Sequence, residues 1–168
     1  MLTIRLGRSS DVARLTDIYN HYIEHSYATF DEAPFETNER TEWFERFAET
    51  GPYRIFVAER DGQVLGCATS SKYREHASFR ETVESGIYIA ADARGGGIGT
   101  SLYSALFSAL AKERIHRVVA GIALPNDASV ALHLRFGFRQ IGVFDEYAQK
   151  RGRRISSVWM EKAMDGAF

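Results

Sequence analysis

The chain has 168 residues, 45% hydrophobic and 26% charged, with a formal net charge of −1. That length and balance predict one soluble domain, residues 1–168, large enough to bury a core. Near-neutrality supplies no basic field for nucleic acid or an anionic membrane, the lone Cys67 rules out an intrachain disulfide, and no apolar run approaches the roughly 20 residues of a membrane span.

Leu2, Ile4 and Leu6 alternate with polar residues, which predicts an opening strand rather than a leader peptide, and a cytoplasmic setting. Ser9-Ser10-Asp11 offers N-caps for a helix whose apolar stripe is Val12, Leu15, Ile18, Tyr19, Tyr22 and Ile23. His21 and His25 share a face of it, but no third ligand stands nearby, and no metal is expected. Residues 26–35 form an aromatic loop, with Tyr27, Phe30 and Phe35 either stapling it to the core or walling a pocket. Thr37 or Asn38 caps a second helix with Trp43, Phe44 and Phe47 as its buried stripe, and Gly51-Pro52 ends it.

Arg54–Glu59 and Gln63–Ser71 read as a hairpin closed at Asp61-Gly62, with Cys67 as a buried thiol in its second strand. Residues 72–80 are polar and irregular; Arg74 is either a solvated charge or a bidentate partner for a small carboxylate. A central strand, Thr82–Ala91, runs into Arg94-Gly95-Gly96-Gly97-Ile98-Gly99 and then a helix from about Thr100 to Lys112. Glycines let backbone N–H groups converge, and a helix N-terminus behind them adds donors and positive potential, so this turn should hold a pyrophosphate. It lacks the Lys-Ser/Thr of a nucleotide-triphosphate loop and the leading glycine of a dinucleotide fingerprint. Arg117–Leu124 is a further strand, Asp127–Arg135 a short helix closed by Gly137, and Phe138–Phe144 with Ile155–Lys162 a closing antiparallel pair. The basic run Lys150–Arg154 between them reads as a solvated hairpin tip or a contact for a ribose phosphate.

Arg94-x-x-Gly97-x-Gly99, with Asn126 and Phe136-Gly137-Phe138 downstream, resembles the coenzyme A signature of the GNAT family of N-acetyltransferases. Over nearly its full length the chain is similar to that family's phosphinothricin acetyltransferase-like group, which includes acetyltransferases of methionine sulfone and methionine sulfoximine. The narrower likeness rests on Tyr27-Ala28-Thr29-Phe30, Val83-Glu84 and Val158-Trp159-Met160. At Gly95-Gly96 relatives often carry a basic side chain, so here the phosphate contacts fall to backbone amides. The resemblance implies an α/β (α+β) fold with a central mixed, mostly antiparallel sheet flanked by helices, acetyl-CoA as co-substrate, and a homodimer.

Glu84, on the central strand among apolar neighbours, is assigned as general base, acting directly or through water, because partial burial raises a carboxylate's pKa into a useful range. By the resemblance, His133 stands where many relatives carry a tyrosine that protonates the departing thiolate; an imidazole could do this or assist as a base. The resemblance also implies that Ile87, Tyr88 and Ile89 pair with the pantetheine arm, that Arg94, Gly95, Gly96, Gly97, Ile98, Gly99 and Thr100 hold the pyrophosphate, and that Asn126 bonds the arm from the other side. The acceptor pocket is expected to draw on Ala28, Thr29, Phe30, Tyr73, Arg74, Glu75, His76, Glu84, Ser85 and Gly86. A small amino-acid analogue is the expected acceptor; a polyamine, a protein N-terminus, and a non-catalytic coenzyme-binding module are the alternatives.

Overall fold

The computed structural model describes residues 1–164. Its strands are β1 (Leu2–Leu6), β2 (Arg54–Arg60), β3 (Gln63–Lys72), β4 (Thr82–Ile89), β5 (Arg117–Ala123), β6 (Arg139–Lys150) and β7 (Arg153–Ala163). They form one sheet in the order β1-β2-β3-β4-β5-β7-β6. β4 and β5 run parallel, whereas the other neighbours are antiparallel. Helices α1 (Val12–His25), α2 (Thr37–Phe44), α3 (Ile98–Leu110) and α4 (Asp127–Arg135) flank it, so the mixed, mostly antiparallel architecture expected from the sequence is the observed one.

Two apolar layers follow from the strand period of two. Val83 packs with Leu102, Leu106 and Leu110 of α3 on one face, together with Ile87 and Ile89. On the other face Tyr88 joins Leu15 and Ile18 of α1, and Trp43, Phe44 and Phe47 cover the edge of that second layer without being fully buried. Glu84 and Gly86 share the α1 face with Tyr88, since side chains two apart on a strand point the same way. α1 is tied to the sheet by charge: Asp11 stands at its N-cap, but its carboxylate is turned to the Arg5 guanidinium at 2.7 and 2.8 Å, and Glu59 takes the same guanidinium at 2.6 Å.

Turn chemistry sets the hairpins. Asp61 and Gly62 both have positive φ, 51° and 79°, as a two-residue hairpin loop requires. Arg151 and Gly152 repeat this at 49° and 76°, so the closing hairpin is longer than the sequence pattern predicts: β6 continues past Phe144 to Lys150, through bulges after Gln140 and Phe144. Lys150 is thereby removed from the basic tip. It is fully buried, and its Nζ donates to the Thr29 carbonyl at 2.8 Å, which anchors the aromatic loop. The N-cap of α2 is Glu36, one residue before the expected Thr37 or Asn38, and its N–H donates to Glu39 Oε2.

Candidate active site

β4 and β5 pair at only three positions, Thr82↔Arg117, Val83↔Val118 and Glu84↔Val119. Past Glu84 they part: β4 stays on β3 through Ile89↔Gly66, and β5 stays on β7 through Ala123↔Ser157. The facing edges therefore present N–H and C=O groups to a cleft of about 590 Å³. Glu84–Ile89 line one side of it and Ala120–Asn126 the other. Such a wedge accepts an extended, amide-bearing ligand in the way a sheet edge accepts a strand.

At the far end of β4 stands the glycine turn. Gly95, Gly96 and Gly97 have φ of 88°, 58° and 75° in succession, and no atom lies within 4 Å of where a Cβ would stand on any of them. The requirement there is backbone conformation alone. Gly97 is the N-cap of α3, which therefore begins at Ile98 and ends at Leu110, two residues earlier at each end than the sequence pattern predicts. The first amides of α3 have no intrahelical acceptor, and they follow three left-handed residues, a concavity suited to phosphate oxygens. Gly99 is required for packing instead. A Cβ there would meet Leu132 Cδ2 at 3.1 Å and Ile89 Cδ1 at 3.4 Å, so its bareness lets α3 pack on β4 and α4. Arg94 and Gly95 line the cleft, while Gly96, Gly97, Ile98, Gly99 and Thr100 lie outside that lining; Gly96 and Gly97 are exposed, Ile98 is buried, and Thr100 Oγ1 accepts from Arg135.

Glu84 stands where the strands part, half-buried. Burial raises its carboxyl pKa above the ordinary range, and the field of Arg74 opposes that rise. Asn126 caps α4, its Oδ1 accepting the Ser129 N–H at 3.2 Å, and its side chain borders the cleft. His133 is buried in the wall. Its Nδ1 lies 2.7 Å from the Ser129 carbonyl, which can only accept, so Nδ1 carries the hydrogen. Burial lowers the His133 pKa, against the pull of that carbonyl. The neutral ring then accepts the Tyr103 hydroxyl at Nε2, 2.8 Å away.

Tyr103 is a site residue that the sequence pattern conceals. It sits among the leucines of the α3 stripe, and the only signal is a hydroxyl in an apolar row, which requires a partner. Tyr22, whose hydroxyl donates to the Ile89 carbonyl at 2.7 Å, also belongs to the cleft, as does Arg153 of the basic turn.

The expected acceptor residues divide. Ala28, Glu84, Ser85 and Gly86 border the cleft, with Tyr27. Phe30, Thr29, Tyr73, Arg74, Glu75 and His76 lie outside its lining. Phe30 meets Tyr147 edge-on, Thr29 is buried against Tyr19, and Tyr73 stands between Phe79 and Trp159. Arg74 lies over the Tyr73 ring, Glu75 pairs with Lys72, and His76 meets Phe79. The 73–76 segment follows the end of β3 at Lys72 and lies beside this lining, with Arg74 near enough for its charge to act on Glu84. His21 and His25 lie 4.7 Å apart with their rings tilted by 46°, and among the described residues no group of three or more His, Cys, Asp or Glu side chains is placed to hold a metal ion.

The sequence matches the Acetyltransferase (GNAT) family over residues 15–138. The chain belongs to that family. It is 45% identical over 163 residues to phosphinothricin N-acetyltransferase of Streptomyces coelicolor, covering 96% of this chain and 95% of the relative. It is 33% identical over 164 residues to the L-methionine sulfoximine/L-methionine sulfone acetyltransferase of Salmonella typhimurium, covering 98% and 95%. Among solved structures it is similar to a GNAT superfamily phosphinothricin acetyltransferase from Sinorhizobium meliloti in complex with acetyl-CoA, with a TM-score of 0.91, 29% identity, and 99% and 90% of the two chains covered. The protein is an acetyl-CoA-dependent N-acetyltransferase, and its parted strands and left-handed glycine turn fit that co-substrate.

Proposed function

We propose that residues 1–168 form one N-acetyltransferase domain acting on the α-amine of a small amino-acid analogue of the phosphinothricin, methionine sulfone or methionine sulfoximine type. The observation that carries this reading is the position of Glu84: a carboxylate of raised pKa at the vertex where β4 leaves β5, with the glycine turn at the other end of the same strand.

When bound, acetyl-CoA supplies the acetyl thioester. In this reading the amides of Gly95 to Thr100 hold its diphosphate, and Asn126 and the open edge of Ile87, Tyr88 and Ile89 hold its pantetheine arm. An edge N–H also polarises the thioester oxygen, a contribution of about 2.7–4 kcal/mol for one such donor. An α-amine with a pKa of about 8 is largely ammonium at neutral pH. Glu84 takes that proton, directly or through a water, and the nearby Arg74 anchors the acceptor's α-carboxylate. The proton required by the departing sulfur lies in the hydrogen bond between Tyr103 and His133.

The subunits pair as a homodimer in this reading. Edge strand β6 supports it, because Ile141, Val143 and Phe144 are each more than half exposed there. Light scattering on the eluted protein gives the mass that decides the point. A thiol-release screen with phosphinothricin, methionine sulfone, methionine sulfoximine and spermidine tests the acceptor. Turnover with the amino-acid analogues is expected, and turnover with spermidine alone overturns the reading.

A further inference from the structure

The tip of the closing hairpin carries a buried charge that the chemistry at Glu84 does not use. Lys150 is fully buried, and its ammonium donates to the Thr29 carbonyl at 2.8 Å. No other donor to that carbonyl is found among the described residues. Burial lowers the Lys150 pKa, the neighbouring Arg151 charge adds to that, and the fields of Asp31 and Glu32 oppose it. An apolar side chain of the same length is buried at lower cost than an ammonium, so stability alone does not account for a lysine there. What the ammonium supplies is placement: it fixes one carbonyl of an irregular loop that has no ladder of its own to hold it.

Arg151, next in the chain, holds the same loop at its two ends. Its guanidinium donates to the carbonyls of Glu24 and Ser26, the latter at 2.8 Å, where α1 stops. Its backbone N–H donates to Glu32 Oε1 at 3.1 Å. The Tyr27 ring centre stands 5.0 Å from the Arg151 guanidinium and 4.8 Å from that of Arg153. From the opposite side α1 takes the loop through Tyr19, whose hydroxyl lies 2.6 Å from Thr29 Oγ1 and donates to Asp31. Residues 26–32 are thus pinned at their start, middle and end. Between the pins lie Tyr27 and Ala28, which with Ser26 line the same cleft as Glu84, Ser85 and Gly86. None of the bonds from Lys150 or Arg151 to the loop reaches residues 87–100 or Asn126, the stretches assigned to the coenzyme.

We propose that Lys150 and Arg151 are positioning residues for the acceptor: through Thr29 and Ser26 they set where the Tyr27–Ala28 wall stands across from Glu84, and so how tightly the amine binds, without touching it. The assignment rests on the reading above that the acceptor is held beside Glu84. A wall displaced by about 1 Å loses its fit to a small ligand, whereas the strand edge and glycine turn that serve the coenzyme keep theirs.

The experiment uses the full chain with Lys150→Met, which keeps the length of the side chain and removes its charge, and Arg151→Lys, which keeps the charge and gives up the second carbonyl. Thiol release is followed with phosphinothricin, methionine sulfone, methionine sulfoximine and spermidine, and KM is taken for every amine that the parent acetylates. Lys150→Met is expected to raise the acceptor KM at least fivefold while the KM for acetyl-CoA stays within twofold; Arg151→Lys shifts it the same way by less. A merely structural loss reduces the folded fraction, which lowers apparent kcat and leaves KM where it was. A fall in kcat with no change in acceptor KM therefore overturns the proposal, as do equal shifts in both KM values. Arg154→Met removes a charge from the same turn, but Arg154 stands opposite Gln149 in the ladder and makes no bond to the loop; a matching rise in acceptor KM there overturns the role of the contacts. A second arm needs no turnover: amide hydrogen exchange over residues 26–32. Exchange at least tenfold faster in Lys150→Met, with β4 as protected as in the parent, supports the clasp even where none of the amines is acetylated and the acceptor reading has failed. Unchanged exchange in the loop overturns it.

Discussion

Replacing Glu84 by Gln keeps the shape of the side chain and removes its ability to take a proton. General-base help contributes about 10²–10⁴ in rate, or roughly 2.7–5.5 kcal/mol of barrier at 1.36 kcal/mol per decade. Folding should not suffer, because Glu84 makes no ion pair among the described residues and its charged form is disfavoured by burial. The expected result is kcat lower by two decades or more, with an unchanged or higher melting temperature. The pH profile carries the sign. A base with a raised pKa is protonated and idle in acid, so log(kcat/KM) of the parent rises with pH through the Glu84 ionisation, at a pH above the ordinary glutamate range. Weakening the field of Arg74, which opposes the shift, should move that limb further up, and Arg74→Gln tests this in the same assay. Thiol release from acetyl-CoA across pH 5–9 measures all three proteins. A fall in kcat of less than about threefold in Glu84→Gln, or survival of its acid limb, would refute the base assignment.

Gly97→Ala places a side chain at φ 75°, where there is room but an unfavourable backbone, and should cost about 1–2 kcal/mol of stability by denaturant melt while raising KM for acetyl-CoA more than it lowers kcat. Tyr103→Phe strips His133 Nε2 of its donor, and His133→Phe strips the Tyr103 hydroxyl of its acceptor. Each is expected to cost about 1–3 kcal/mol of stability, and in kcat the double variant should be scarcely worse than either single one, as for two groups acting together. Asp11→Ala leaves Arg5 paired with Glu59 alone and should destabilise by about 1–3 kcal/mol at neutral pH, the loss of charge-assisted hydrogen bonds. Burial by itself would raise the Asp11 pKa, but the Arg5 guanidinium and the Arg8 N–H outweigh it and hold it low. Asp11 thus contributes fully above the ordinary aspartate range and loses that contribution as pH falls through its lowered folded value, so the gap in melting temperature between parent and Asp11→Ala should close in strong acid.

What is legible in the sequence follows backbone rules. Strand alternation in Leu2–Leu6, the Asp61-Gly62 loop and the glycines before α3 each state a local conformation in residue types, and the fold repeats them. Near misses come where a conformational residue acts one or two places from where composition points. Gly97 starts α3 early because a left-handed N-cap turns the chain at once, and β6 runs on to the Arg151-Gly152 turn, burying Lys150, where the run Lys150–Arg154 suggests a hairpin tip or a ribose-phosphate contact. Neither needs a distant contact to be read; each needs φ.

The substrate side is different in kind, because it depends on what lies across the sheet. Period two places Glu84, Gly86 and Tyr88 on one face, but nothing local to α1 says that its Tyr22 will reach the Ile89 carbonyl at the end of that strand. The same holds for Tyr103, which looks like one more core residue until α4 brings His133 to its hydroxyl. Segment 73–76, by contrast, advertises itself with charge and aromatics, and it lies beside the cleft lining with the Arg74 charge acting on Glu84. A polar group on an apolar stripe, such as Tyr103, is the better pointer. Its burial is unfavourable unless something answers it, and in an enzyme one of the few things free to answer is the ligand.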